Sequence, residues 1–189
     1  WVQDEIVTVM SVPHEMTIPR RLAGRYLTIE LLGISGSFDF VFDKLTFKAQ
    51  TSVTNEAPAL ASTTDPLVRD IYKVGLNTLK ECMQTVYEDG PKRDRRLWIG
   101  DLYLEALANA HTFKNHELTK HCLYLLAAFA NDEGLLHATL LEKPQPHPQY
   151  GTHTLDYCLI YNVALLEYLK ETGDRETAND LWPVVVRQI

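Results

Sequence analysis

Asn55 to Val86 reads NEAPALASTTDPLVRDIYKVGLNTLKECMQTV, and the spacing of its apolar residues decides the fold. Its first ten residues are small, polar and proline-bearing, the composition of a linker. Asp65 then precedes Pro66, an N-cap followed by the residue whose fixed φ suits the first helical position. From there Leu67, Ile71, Leu79, Cys82, Met83 and Val86 recur at helical spacing, which predicts one long amphipathic helix over 66–86. The same period returns downstream. It predicts helices over 101–112, over 116–130, over 156–171, and from about residue 176 after the turn at Gly173-Asp174. The segment 116–130 is apolar almost all round (Leu118, Cys122, Leu123, Leu125, Leu126, Phe129), as expected of an inner helix. Lys143 to Gln149, KPQPHPQ, is too proline-rich for regular structure and is predicted as a loop. The outcome is a layered, mainly α assembly. A double ring of helix hairpins and a simple bundle both satisfy the periodicity.

On the N-terminal side of the linker the period is two. EIVTVMSV at 5–12 is rich in β-branched residues, and RYLTIELL at 25–32 sets Tyr26, Thr28 and Glu30 opposite Leu27, Ile29 and Leu31. From 37 to 53 the alternation is cleanest, with Phe38, Phe40 and Phe42 on one face. Its phase resets at Asp43-Lys44, a bulge or turn, and Gly33 and Gly36 flank a hairpin connection. So few strands cannot close a sandwich. Residues 1–54 are therefore expected to be the last strands of a β-sandwich domain, 55–64 a linker, and 65–189 the helical domain.

With 189 residues, 46% of them hydrophobic and 23% charged, the chain is neither disordered nor fibrous. A net charge of -7 lacks the basic patch of a nucleic-acid binder, and no apolar run is long enough to span a membrane. Cys82, Cys122 and Cys158 match neither a disulfide framework nor a zinc pattern and read as small buried hydrophobes in a reducing compartment. The cytoplasm is the expected location. The chain opens on Trp1 with no leader following, and it stops inside a helical pattern at 184–189, so it reads as a piece of a longer protein.

The densest polar cluster joins the first two helices. It runs Tyr87-Glu88-Asp89-Gly90-Pro91-Lys92-Arg93-Asp94-Arg95-Arg96-Leu97-Trp98-Ile99-Gly100-Asp101. A solvated loop that caps helices accounts for charge density alone. Two features point further. Trp98 is a costly side chain to leave on a loop unless something packs on it, and aromatic faces are what sugar rings stack against. Asp89, Asp94 and Asp101 are interleaved with arginines, so one carboxylate can stay ionised while another holds its proton, as acid catalysis on an acetal needs. Histidines suggest a metal at first sight, but His116 and His121 are five residues apart rather than the four that put two ligands on one helix face. His14-Glu15 lacks a second histidine. His147 and His153 lie in or near the proline-rich loop and read as exposed. No phosphate-binding glycine spacing or nucleophile elbow is present.

EDGPKRDRRLWIGD at 88–101 resembles the active-site signature of bacterial α-L-rhamnosidases, inverting glycoside hydrolases with an (α/α)6 barrel. STTDPLVRDIYKVGLNTLKECMQTVY is similar to the helix before that motif, and LDYCLIYNVALLEYLKETGD and LWPVVVRQ to the inner and outer helices after it. AGRYLTIELLGISGSFDFVFDKLTFKAQTSV is similar to the β-sandwich strands that enter the barrel. The resemblance implies part of an (α/α)6 barrel of six-hairpin type, preceded by sandwich strands, with no cofactor or metal required. By position it implies that Asp94 is the general acid. Many relatives carry Glu in an RDER pattern there; here the run is Arg93-Asp94-Arg95-Arg96, so Asp94 is the carboxylate available. Asp89 and Asp101 match sugar-binding carboxylates, Arg93 an arginine that orients the acid, and Trp98 the aromatic wall of the rhamnose subsite. Asp156 is a further candidate at the mouth of the next inner helix, with a helix N-cap as its equal alternative. Inversion also needs a general base roughly 6.5–9.5 Å from the acid. The resemblance places that Glu beyond Ile189, so the chain alone is expected to be inactive. Glu105, Glu133, Glu142 and Glu167 are assigned no role. The implied partner is a rhamnose-containing glycoside or oligosaccharide, with homo-oligomerisation left open. A non-catalytic rhamnose- or glycan-binding relative, and an α/α-barrel hydrolase for another sugar, are the alternatives.

Overall fold

The computed structural model describes residues 4–37 and 39–189, and the chain divides into two compact units, Trp1–Ala49 and Gln50–Ile189. In the first unit the described backbone forms bends and turns and irregular segments without a paired strand. The ladders expected over 5–12, 25–32 and 37–53 are thus not formed among the described residues. Alternating residues mark two faces of a chain, but a ladder also needs a neighbour to take its N–H and C=O groups. Local features of the reading persist. A turn falls at Gly36-Ser37, and the Phe40 and Phe42 rings meet edge-on at 4.9 Å, as i,i+2 spacing allows. Phe38, assigned to the same face, lies outside the described residues. Arg20 donates to the Glu5 carboxylate and the Asp4 carbonyl.

The second unit is helical: α1 (Pro66–Cys82), α2 (Ile99–His111), α3 (His116–Ala128), α4 (Leu155–Thr172) and α5 (Arg175–Arg187), with short strands β1 (Leu97–Trp98), β2 (Thr139–Leu141) and β3 (His147–Pro148). Asp65 caps α1 by accepting the Leu67 N–H at 2.8 Å, with Pro66 just inside. The helix stops at Cys82, four residues short of the periodic pattern. The Met83 carbonyl is taken by the Ser52 N–H and the Thr51 hydroxyl, and Tyr87 folds back to bridge Met83. The apolar residues 83, 86 and 87 are core residues all the same, each fully buried. Asn115 caps α3 through the Leu118 N–H, and Asp174 caps α5 through the Thr177 N–H and hydroxyl. Those two Thr177 donors, then Lys120, hold the Asp174 carboxyl well below the usual carboxylate range. α4 ends where Gly173 adopts φ 71° and returns its N–H to the Leu169 carbonyl.

α2 and α4 pack side by side, while α3 packs against both of them and against α5. The all-round apolarity of α3 reflects contact with three helices at once. Tyr87, Leu102, Leu123, Leu126 and Tyr161 form the centre of the core. The buried hydroxyls are paired, Tyr87 with Thr119 at 2.8 Å and Tyr161 with the Leu123 carbonyl at 3.1 Å. All three cysteines are buried and unbridged.

The three strands make one antiparallel sheet in the order β1-β2-β3, with Leu97 opposite Leu140, Trp98 opposite Thr139, and Leu141 opposite His147. β3 lies inside the proline-rich stretch predicted as loop. The proline costs nothing there because Pro148 sits on the edge strand of the sheet, where a missing N–H is tolerated. β1 runs directly into α2, and the Ile99 N–H bonds the Ala138 carbonyl. That continuous ladder starts α2 two residues before the predicted position and fixes what stands at its N-terminal end.

Candidate active site

The site is built where the α1–α2 loop closes on β1. The Asp89 N–H donates to the Arg96 carbonyl, and the Arg96 N–H donates to Asp89 Oδ1, both at 3.0 Å. Asp89 thereby ties the two ends of the loop, a structural duty beside the sugar-binding one expected of it. Between them the chain turns sharply. Arg95 takes φ 53°, rare for a residue with a side chain, and its Nε donates to the Pro91 carbonyl at 2.6 Å. Arg93 grips Asp94 with two nitrogens, Nε to Oδ1 at 3.1 Å and Nη2 to Oδ2 at 3.4 Å. The arginine is largely exposed while the carboxylate is three-quarters covered, with 72% and 24% of their side chains accessible.

Period two explains the position of Trp98. Its neighbours Leu97 and Ile99 are fully buried, so the indole between them leaves the core on the opposite face and stays half-buried. Its ring stands edge-on to Tyr157 at 6.4 Å. Tyr157 in turn lies so close over Gly100 that a Cβ there would meet its hydroxyl at 2.8 Å and oblige the ring to shift. This contact joins the N-terminal ends of α2 and α4.

Asp101 lies half-buried in the first turn of α2, where the helix dipole favours a negative charge. Burial, and then the neighbouring Asp89 charge, push its carboxyl up. Asp89 is likewise pushed up, by burial first and also by Asp94, against the Arg96 N–H and the flanking arginines. The three aspartates therefore act on one another in a chain, Asp94 on Asp89 and Asp89 on Asp101. Asp156 is exposed in the first turn of α4. It is not the N-cap, since Thr154 occupies that position, but it stands at the same end, because Asp101 and Asp156 both act on the Tyr157 phenol.

The proline-rich loop forms a further side. Arg96 Nη1 donates to Gln149 Oε1, and the Thr85 hydroxyl to Glu142. His137, the residue before the Ala138 carbonyl that bonds Ile99, stacks against His153 at 4.3 Å and against the edge of Tyr150 at 5.8 Å. Burial, and then His153, push the His137 imidazole down. Sequence reading passed over Glu105, Tyr157 and His137. Only Glu105 carried a usable signal, being four residues after Asp101 and so on the same helix face. Among the described residues no three His, Cys, Asp or Glu side chains are grouped to hold a metal ion. Chemically, the arrangement offers a carboxylate steered by an arginine, two further carboxylates able to accept hydroxyl hydrogens, and an apolar ring, the set that a pyranose carrying a methyl group requires.

Comparison with known proteins shows the family. The model of the glycosyl hydrolase family 78 alpha-rhamnosidase N-terminal domain matches residues 1–49, and that of the bacterial alpha-L-rhamnosidase 6 hairpin glycosidase domain matches residues 57–188. A rhamnosidase from Klebsiella oxytoca, solved with rhamnose bound, is 45% identical with a TM-score of 0.69, over 73% of this chain and 26% of that one. A family 78 rhamnosidase of Bacillus sp. GL1 shares the fold at 24% identity and a TM-score of 0.63, over 72% of this chain and 13% of that one. No curated protein matches the chain. The chain thus spans about a quarter of the length of the Klebsiella structure. With the glycosidase-domain match covering well over half of its residues, the chain belongs to the bacterial α-L-rhamnosidase family and forms part of an α/α six-hairpin barrel.

Proposed function

We propose that the protein carrying this chain hydrolyses terminal α-L-rhamnosyl residues with inversion of configuration, and that these residues supply the acid side of its active site. The observation that carries the reading is the Arg93–Asp94 pair, set beside Asp89 and Asp101 at the mouth of α2. In the proposed reaction Asp94 protonates the glycosidic oxygen as the bond to the anomeric carbon breaks, and a water on the opposite face attacks that carbon. Asp89 and Asp101 accept hydrogen bonds from ring hydroxyls, Arg93 orients the acid, and Trp98 packs on the apolar side of the sugar. Asp156, exposed at the start of α4, is proposed to meet the more distant part of the substrate. No general base is assigned among the described residues.

The test is to supply an aryl α-L-rhamnoside and follow the released sugar by proton NMR. The first-formed product is expected to be the β-anomer, with mutarotation following. An α-anomer formed first excludes inversion. Tight rhamnose binding with no turnover favours the glycan-binding alternative.

Trp98→Ala is expected to weaken rhamnose affinity about tenfold, with kcat changing far less, since an aromatic face contributes roughly 1–2 kcal/mol of contact to a sugar. Calorimetric titration gives the dissociation constant directly. Unchanged affinity would place the indole outside the subsite.

A further inference from the structure

Glu105 lies one helical turn after Asp101, on the same face of α2 and further toward the core. Its Oε2 is buried and has no hydrogen-bond partner. The titratable groups that act on its charge, or on which its charge acts, sit on four elements. They are Asp101 on its own helix, Glu88, Asp89 and Tyr87 on the α1–α2 loop, Cys82 at the end of α1, and Cys122 on α3. None of these is a cation. A carboxylate with an oxygen taken out of water without a partner, and acted on by acids, is costly to charge, whereas the neutral acid is not. Burial first, then Asp101, Asp89 and Glu88, push the carboxyl up to about 9.

We propose that Glu105 is a positioning residue for the rhamnose subsite, remaining uncharged behind Asp101 and Asp89 so that these two keep their negative charge and their place toward the sugar hydroxyls. The proposal rests on the rhamnosidase reading above and adds to it a residue that the motif does not contain. Its physical content is a division of protons. Carboxylates whose charges push one another up resist ionising together, and the proton settles on the one furthest from water. The two nearer the surface are then free to act as acceptors.

Ionising Glu105 places a negative charge beneath Asp101, so sugar affinity falls as pH rises through about 9. Stability carries the same signature. Glu105 ionises near 4.5 in the unfolded chain and near 9 in the folded one, so between these values the folded state holds the extra proton and stability falls as pH rises. Glutamine keeps the shape of the neutral acid and cannot ionise.

The experiment uses the full-length protein and Glu105→Gln, with free rhamnose as the probe. Rhamnose affinity is titrated across the range around pH 9, and infrared difference spectra between the two proteins are recorded at neutral pH. Wild type is expected to show a protonated-carboxyl stretch that the variant lacks, and to lose about tenfold in affinity on the alkaline side, a loss absent from the variant. Absence of the infrared band overturns the proposal. So does an alkaline loss shared equally by both proteins, or a loss at neutral pH in the variant as large as that of Asp101→Asn. If wild type binds no rhamnose at any pH, the rhamnosidase reading fails and takes the positioning role with it, while an infrared band still present would report the buried proton separately.

Discussion

Asp94→Asn in the full-length protein is expected to lower kcat on natural rhamnosides by about 10²–10⁴-fold, the range that a general acid supplies. Rhamnose affinity should stay within about threefold, because an amide keeps the size of the side chain and removes an interaction made chiefly in the transition state. The structure adds a specific reason for so large an effect. Arg93 holds Asp94 through two nitrogens, in a turn that is itself locked by the Arg95 contact to Pro91. The carboxyl is therefore presented at a fixed place, and no other acid in the run 91–96 can substitute for it. Leaving-group dependence provides the sharper measurement. An aryl rhamnoside whose phenolate departs without protonation should be spared most of the loss, while an alkyl rhamnoside should show all of it. Equal losses on both substrates would assign Asp94 to binding, and an unimpaired variant would remove it from the mechanism.

The placement of this site was legible in the sequence to a considerable degree, and the reasons differ residue by residue. Asp89, Arg93, Asp94, Trp98 and Asp101 lie within thirteen residues, so the loop and one helical turn bring them together whatever the rest of the chain does. The position of Trp98 follows from alternation in β1, which needs only its two buried neighbours. Contacts made across the fold were not legible. Tyr157 meets Trp98 because α4 packs beside α2, and Gln149 meets Arg96 because β2 and β3 pair onto β1 in one sheet. Nothing in either segment names its partner. Helix ends show the same division. Asp65, Asn115 and Asp174 cap from within their own segments and sit where local chemistry predicts, whereas α1 loses its last turn to Thr51 and Ser52, thirty residues upstream. The N-terminal unit is the extreme case. Its alternation is clear, and Phe40 and Phe42 share a face as predicted, yet the described residues pair no ladder. Glu105 was passed over for the opposite reason. Its spacing from Asp101 was visible, but what distinguishes it is a buried oxygen without a partner, which only packing reveals.

Asn109→Ala is expected to destabilise the protein by about 2–4 kcal/mol, the largest loss for a single polar side chain outside the active site. Asn109 is fully buried at the C-terminal end of α2, and its side chain hydrogen-bonds both the turn to α3 and the Tyr87 phenol. Its Nδ2 donates to the Asn115 carbonyl and its Oδ1 accepts the Asn115 N–H, both at 3.0 Å. Its own carbonyl takes the N–H groups of Thr112 and Lys114, the latter held at φ 55°. Asn115, fixed in this way, caps α3 and donates to the Ser52 carbonyl at 2.9 Å. Alanine would leave two part-buried backbone groups of Asn115 without these partners, each costing about 1–3 kcal/mol, and would loosen the cap that depends on them. Asn109→Asp separates the contributions, since it keeps the acceptor, loses the donor and adds a buried charge. It should be at least as destabilising as alanine at neutral pH and should recover part of the difference in acid, where the carboxyl is protonated and can donate again. Denaturant unfolding of the three proteins at two pH values measures this. Because α2 carries Asp101 and Glu105 toward its other end, rhamnose affinity per folded molecule should be retained in both variants. A change in affinity larger than the change in folded fraction would mean that the α2–α3 turn sets the angle at which α2 presents its carboxylates, and the turn would then have to be counted as part of the site.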